Sequence, residues 1–467
     1  MKTIRLWVTA FVLAFVCIAT HAKPKTERLN IESVSQTWNQ TLDSLFLYQQ
    51  PLQQQWWLRF NDAKLNELVE TVLQTNYDLK QAAYRVDQAK AAMRVAQGGF
   101  YPTINVNAGY NYNQNVTALG TSQIGSLGVD AKWEIDIIGA VRNRAKSQKA
   151  AYLASQEEYD GVMTALVAQT VQTYVQLRTS QWRLQVIESN LESQKETMEI
   201  TEARFNAGLA SALDVAQAKS IYYATQSQVP AMESQISAYI NQMGILLGQV
   251  PWSVEEEMAL PEGQTELSPN MVVSVGIPAE VLRQRPDVRA AEKNIDAKAA
   301  MVGARVADWL PRFFVTGQFG YASENFQDLF NNNHMYWQVA PSVQWNIFSG
   351  TTLSGNIQAA KAGLEEAINN YNNTVLTALQ EVDDAMTHYR HASAEVVAMQ
   401  KAFDQAEITN QLAIDLYKKG LIDFQNVLDA QRSLLQYEDN LVVAKSSVSL
   451  SLVQLYRALG GEWNNEQ

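Results

Sequence analysis

Cysteine is almost missing from this chain: Cys17 is the only one in 467 residues, so no intramolecular disulfide can form. Positive charge is also short. The net charge of -12 leaves no basic face with which to neutralise phosphates, and nucleic acid is excluded as a partner. Histidine occurs four times, as His21, His334, His388 and His391, and none has a catalytic constellation around it. No enzyme is expected. After the N-terminus no run reaches the roughly 18 apolar residues that a transmembrane helix needs, which leaves a membrane β-barrel open. The last absence is the most informative. Glycine and proline are missing from Val162 to Ala207 and again from Leu364 to Lys419. Globular helices average about 11 to 12 residues, whereas these segments with their flanks reach roughly 70 to 100 Å at about 1.5 Å per residue.

What is present begins with a secretory signal over residues 1–22: Lys2 and Arg5 precede an apolar region from Leu6 to Ala19, and cleavage after Ala22 frees Lys23. Cys17 lies in that apolar region and leaves with it. Lipidation at Cys17 is the competing reading, opposed by the bulky Phe15 and Val16 just before it.

The remainder is written twice. Asp78 opens a helical run that ends at Pro102, and Asp287 opens one that ends at Pro311, with the same separation. Trp133 then matches Trp345, Ile135 matches Ile347, Gly208-Leu209 matches Gly420-Leu421, and Leu247-Gly248 matches Leu459-Gly460. Shared helical composition would not place Pro, Trp and Gly landmarks in register. The organisation expected is an N-terminal segment over 23–60, a first repeat over 61–260, a second over 261–463 and a tail over 464–467.

Each repeat reads helix, two strands, very long helix, turn, helix. The strands are expected at about 103–113, 123–136, 311–322 and 336–348, alternating strictly: Ile104, Val106, Ala108 and Tyr110 against Asn105, Asn107 and Gly109, for example. Length, alternation and aromatic ends suit membrane strands with an apolar face to lipid and a polar face to a wet lumen. Pro341 removes a ladder donor in mid-strand and calls for an edge or a bulge. Four strands cannot close a barrel, and an open edge is not tolerated in lipid, so protomers must share one. Eight strands would be filled by side chains, and twelve is the smaller number that leaves a pore.

The long helices carry sevenfold stripes: Leu184, Leu191, Met198 and Phe205 with Ile187; Val396, Phe403 and Tyr417 with Met399, Ala406 and Ala413; and Val427, Leu434, Leu441, Val448 and Leu455. Antiparallel coiled-coil hairpins turning at Gly208 and Gly420 are expected, polar elsewhere as the wall of a water-filled tube would be. His388 and His391, followed by Glu395, are accounted for by that polarity, and neither metal nor cofactor is expected.

The segments Ala203-Arg-Phe-Asn-Ala-Gly-Leu-Ala-Ser-Ala-Leu-Asp-Val, Leu282-Arg-Gln-Arg-Pro-Asp-Val-Arg-Ala-Ala-Glu, Thr374-Val-Leu-Thr-Ala-Leu-Gln-Glu-Val and Gly420-Leu-Ile-Asp-Phe-Gln-Asn-Val-Leu-Asp-Ala-Gln-Arg-Ser-Leu resemble the outer-membrane efflux factors. These are the TolC/OprM-like family, here its NodT-type branch, and the resemblance runs from about Trp57 to Trp463. It implies an α+β homotrimeric channel: a twelve-stranded barrel in outer-membrane lipid continued by a helical tunnel into the periplasm. It also implies a periplasmic adaptor and an inner-membrane pump of the RND or MFS type as partners, and passive export of drugs or toxic small molecules. Protein secretion through the same architecture is the alternative. The family closes its tunnel at the periplasmic tip, which would place a gate carboxylate at Asp429. Asn426 stands where some members are acidic, Asp423 partly replaces it, and Gln425 lies at a constricting position. Asp214 would pair across helices with Tyr417 as one partner, and Ile422 stands where a basic partner would be.

Overall fold

The computed structural model describes residues 26–33, 37–38, 45–47, 55–115, 120–260 and 272–461. The signal segment, Cys17 and the tail lie outside them. The described chain divides into two units, one holding the sheet and the ends of four helices, the other the remaining helical body.

In the first unit the strands are β2 (Thr103–Asn115), β3 (Gly120–Ile135), β5 (Arg312–Ser323) and β6 (Met335–Gln344). They pair antiparallel in the order β2-β3-β5-β6. The register turns the period-two pattern into rows. Val106, Val129, Phe319 and Trp337 face one another across one side of the sheet, and Asn105, Asp130, Gln318 and Gln338 across the other. The polar row is cross-linked, with Asn105 Nδ2 donating to Asp130 at 3.1 Å and Asn107 donating to the same carboxylate. The apolar row is bare, Trp337 being 71% exposed. Both β2 and β6 present an unpaired edge in the protomer. Pro341 sits on one of these edge strands, opposite Val315, which is where a residue without a ladder donor is tolerated.

The two repeats finish their strands alike. The Trp133 indole N–H donates to the Phe100 carbonyl at 3.0 Å, and that of Trp345, just past β6, to the Trp309 carbonyl at 3.1 Å. β6 stops at Gln344, so Ile347 lies beyond the strand. The first described residues are strapped to this unit: Thr26 N–H donates to Glu365 at 2.9 Å, and Arg28 pairs with Glu292 at 2.7 Å while lying 4.5 Å over the Tyr371 ring.

Helices α1 (Ala63–Thr75), α2 (Tyr77–Gly98), α3 (Ala140–Asn206), α4 (Ala212–Gln226), α5 (Val229–Leu246), α6 (Pro278–Gln284), α7 (Pro286–Ala307), α8 (Thr352–Lys418) and α9 (Phe424–Ala458) make up the rest, with a short parallel pairing of β1 (Phe46–Leu47) and β4 (Val273–Ser274). α3 and α8 are 67 residues each, or about 100 Å at about 1.5 Å per residue. After the turn the repeats differ. The second continues as the unbroken 35-residue α9, whereas the first is interrupted between α4 and α5, where Pro230 occupies the first turn of α5.

The second unit's core gathers Leu65, Val69, Tyr174, Leu177, Met243, Met258, Met386 and Leu452. Asp62 sets its entrance by capping α1 through the N–H groups of Lys64 and Leu65 while accepting the Tyr174 hydroxyl at 2.7 Å. Burial raises the Tyr174 phenol to about 12, the Asp62 hydrogen bond acting the same way against the neighbouring Arg178. Arg285, buried, ties three elements together. It holds Asp287 in a fork at 3.0 and 2.7 Å, Glu381 of α8 at 2.6 Å and the Ala458 carbonyl of α9 at 2.7 Å. Burial works to lower its pKa, and its two carboxylates overcome this and raise it.

On α8 the expected stripe is the packed one. Ala406, Ala413 and Tyr417 are buried, Val396, Met399 and Phe403 half-buried, and Asn410 joins the line. On α9, Val427, Leu441, Val448 and Leu455 are buried. α3 departs from expectation near its end. Of its apolar stripe Ile187 is buried as expected, Leu184, Leu191 and Met198 are half-buried and Phe205 is 44% exposed; the buried line runs on from Ile187 through Asn190, Gln194, Thr197 and Thr201.

Candidate functional site

That polar line faces α9 across a ladder of side-chain bonds. Thr179 donates to Ser446 at 2.8 Å, Arg183 holds Asp439 at 2.6 and 3.0 Å, Asn190 donates to Glu438 at 2.8 Å, and Gln431 donates to Thr197 at 2.9 Å. Gln194, buried among them, leaves both its amide atoms unbonded, and Gln431 its oxygen. The bonded rungs are each satisfied separately, and one of them loses little when water replaces it, unlike a contact in an apolar seam. The signal was present in the sequence, since Asn190 and Thr197 are seven apart and so are Gln431 and Glu438.

The ladder ends at two turns built alike. α3 closes with Leu209 N–H on the Arg204 carbonyl at 2.8 Å and Gly208 at φ +73; α8 closes with Leu421 N–H on the Leu416 carbonyl at 3.0 Å and Gly420 at φ +74. This six-to-one bond over a left-handed residue is the Schellman ending, and glycine bears that φ without a Cβ clash. The helices that follow start differently. Ser211 and Asp214 form a reciprocal capping box, with Ser211 N–H to Asp214 at 2.9 Å and Asp214 N–H to Ser211 at 3.1 Å. At the matching positions of the second turn, Asp423 caps α9 without a side-chain bond, and Asn426 donates to the Asp423 carbonyl at 3.3 Å.

Every tip residue singled out in the sequence can now be placed. Asp423, Gln425, Asn426 and Asp429 are exposed on one side of α9, and Phe424, Val427, Leu428 and Ala430 are buried on the other. Gln425 Nε2 donates to Asp429 at 3.1 Å. Asp429 and Asn426 border a groove of about 470 Å³ between α8 and α9, floored by Ala402, Ala406 and Ala430 and edged by Gln405 and Thr409. The buried side packs with Ala413, Tyr417, Ala218 and Ile221 into a small core under the turns. Tyr417 is 5% exposed, lies 5.3 Å from the Phe424 ring, and its hydroxyl finds no partner. Asp214 is engaged with Ser211 within its own turn. Ile422 packs against the small core. The basic group at the tip that sequence reasoning missed is Arg204, whose guanidinium lies 4.8 Å over the Tyr417 ring. Its counterpart in the second repeat is Leu416, so the repeat gave no hint of it.

Among the described residues no group of three or more His, Cys, Asp or Glu is arranged to hold a metal ion, and no helix is long and apolar enough to cross a membrane. The family model described as outer membrane efflux protein matches residues 68–249 and 277–461, well over half of the sequence. The chain belongs to the outer membrane efflux protein family. It is 30% identical over 415 residues to the solvent efflux pump outer membrane protein SrpC of Pseudomonas putida, covering 87% of each chain. It is 27% identical over 410 residues to the cation efflux system protein CusC of Escherichia coli strain K12, covering 87% of this chain and 88% of that one. Among solved structures, the outer-membrane channel OprN superposes with a TM-score of 0.85 at 29% identity, covering 95% of this chain and 98% of that one.

Membership accounts for the open sheet. The four strands are one protomer's share of a twelve-stranded barrel in a trimer, whose edges β2 and β6 pair between copies. The protein is an outer-membrane efflux duct that extends into the periplasm. Efflux, and not protein secretion, is the activity that the names of these relatives give, and the family is one of transport channels.

Proposed function

We propose that this efflux factor accepts small, predominantly apolar toxic molecules from an inner-membrane pump of the RND or MFS type through a periplasmic adaptor, and that its valve is the tip around Asp429. The similarity to a solvent efflux component supports the substrate class. The observation that carries the valve is the exposed side of α9, on which Asp423 and Asp429 stand without a cationic partner in the hydrogen bonds they make, Gln425 lying alongside. Three symmetry-related copies of that side, brought close to one axis, form a negative constriction that narrows the bore and favours cations.

Deleting the gene in its native host, with the partner pump expressed, is expected to sensitise cells to organic solvents, dyes and lipophilic antibiotics. Complementation restores resistance. Unchanged sensitivity across that panel, with altered sensitivity to metal salts instead, would move the substrate to cations. For the valve, Asp429→Ala is expected to raise single-channel conductance in planar bilayers and to lower cation selectivity. A channel with unchanged current and selectivity would place the constriction elsewhere.

A further inference from the structure

The end of α8 can be accounted for carbonyl by carbonyl. A helix leaves its last carbonyls without internal donors, and here the turn supplies them: Lys419 N–H to Asp415 at 3.2 Å, Leu421 N–H to Leu416 at 3.0 Å and Gly420 N–H to Tyr417 at 2.9 Å. The Lys418 carbonyl is served from another helix. Arg204 Nη1, at the end of α3, donates to it at 3.1 Å. The same guanidinium covers the Tyr417 ring at 4.8 Å, and a Cβ added at Gly420 would lie 3.6 Å from its Nη2. One planar cation therefore bonds the final helix carbonyl and covers the buried ring, and it borders the space that a side chain at position 420 would enter.

Charge and geometry agree on what this contact does. A guanidinium at a helix C-terminus is favoured by the helix dipole, and stacking on an aromatic face adds to it. Beside it Lys418 pairs with Glu196 of α3 at 3.4 Å, exposed and correspondingly weak. The arrangement is one-sided. Leu416, the repeat counterpart of Arg204, has no charge with which to return the contact to the first hairpin.

We propose that Arg204 is the positioning residue that holds the second hairpin turn against α3, and that widening of the tip requires it to let go. This rests on the reading of the tip as a valve. The position where the family resemblance would place a basic group is filled by Ile422, and Arg204 supplies the cation from the opposite hairpin.

The test compares purified trimers of the wild type, Arg204→Gln, Arg204→Lys and Asp429→Ala in planar bilayers, with vancomycin sensitivity of the expressing cells as a second readout. Arg204→Gln is expected to raise the open fraction by about an order of magnitude, because a charge-assisted bond and a stacked cation are lost together. Arg204→Lys, which keeps the charge and a donor, restores most of the closure. A tight Arg204→Gln channel, or a Lys variant as leaky as the Gln one, overturns the proposal. If Asp429→Ala alters the current while Arg204→Gln does not, the valve stands and the role of Arg204 falls; if neither responds, both fall. Should Arg204→Gln not assemble, Tyr417 decides. Tyr417→Phe keeps the ring under the cation and loses only an unbonded hydroxyl, so it stays tight, whereas Tyr417→Leu leaks; a tight Leu variant overturns the proposal.

Discussion

Arginine in place of Val129 is expected to stop the barrel from assembling, while arginine in place of Gln318, one residue off on the neighbouring strand, is expected to be accepted. Val129 stands in the row with Val106, Phe319 and Trp337; Gln318 stands in the row with Asn105, Asp130 and Gln338. Only the first row has a lipid-compatible character. An arginine facing hydrocarbon near mid-strand costs about 2–4 kcal/mol in a membrane barrel, and three copies of the cost fall on one trimer. At position 318 the same side chain meets water and the Asp130 carboxylate directly across the ladder. The measurement is the amount of heat-modifiable trimer in outer-membrane fractions, with pore selectivity as the second readout. Equal assembly of the two variants would mean that the faces are assigned the wrong way round.

Replacing Arg285 by alanine is expected to lower stability by on the order of 3 kcal/mol. The change leaves the buried Ala458 carbonyl without its donor and removes the one cation shared by Asp287 and Glu381. The carboxylates are half-exposed and regain water, which keeps the loss below that of a fully buried triad. Arg285→Lys rescues little, since an ammonium cannot form the two-pronged contact with Asp287 and still reach the carbonyl and Glu381. Thermal unfolding of the detergent-solubilised trimer checks both variants. A melting temperature unchanged in Arg285→Ala would mean that the junction of α7, α8 and α9 is held by apolar packing alone.

The features legible from the sequence were those in which each residue reports independently on its surroundings. Val106 next to Asn107, repeated down a strand, states a face at every step. An absence of glycine and proline states a length. The stripe on α8 was legible because Ala406, Ala413 and Tyr417 pack in a seam whose spacing is their own. On α3 the same reasoning chose Leu184, Leu191, Met198 and Phe205 with Ile187; of these only Ile187 is buried, and the buried line continues through Asn190, Gln194 and Thr197. Polar residues on a helix ordinarily mark a wet face, and what makes these a contact is the partner: Arg183 and Asp439 lie 256 positions apart. Arg204 escaped for a related reason. Its meaning depends on an α8 carbonyl and a ring that no local pattern connects to it. Asp214 shows the opposite case, a side chain whose bond is entirely local to Ser211 and whose capping box can be read from the Ser-x-x-Asp spacing.

The equal length of α3 and α8, 67 residues each, makes the protein its own ruler. Both turns sit at the same count from the start of their own helices, so adding or removing a residue in one helix alone would offset them by about 1.5 Å and rotate every later side chain by about a third of a turn. The contact between Arg204 and Lys418 would be lost at the first such step. A duct of this kind can therefore change its reach only through matched insertions in both halves, and length variation among its relatives should be found in pairs.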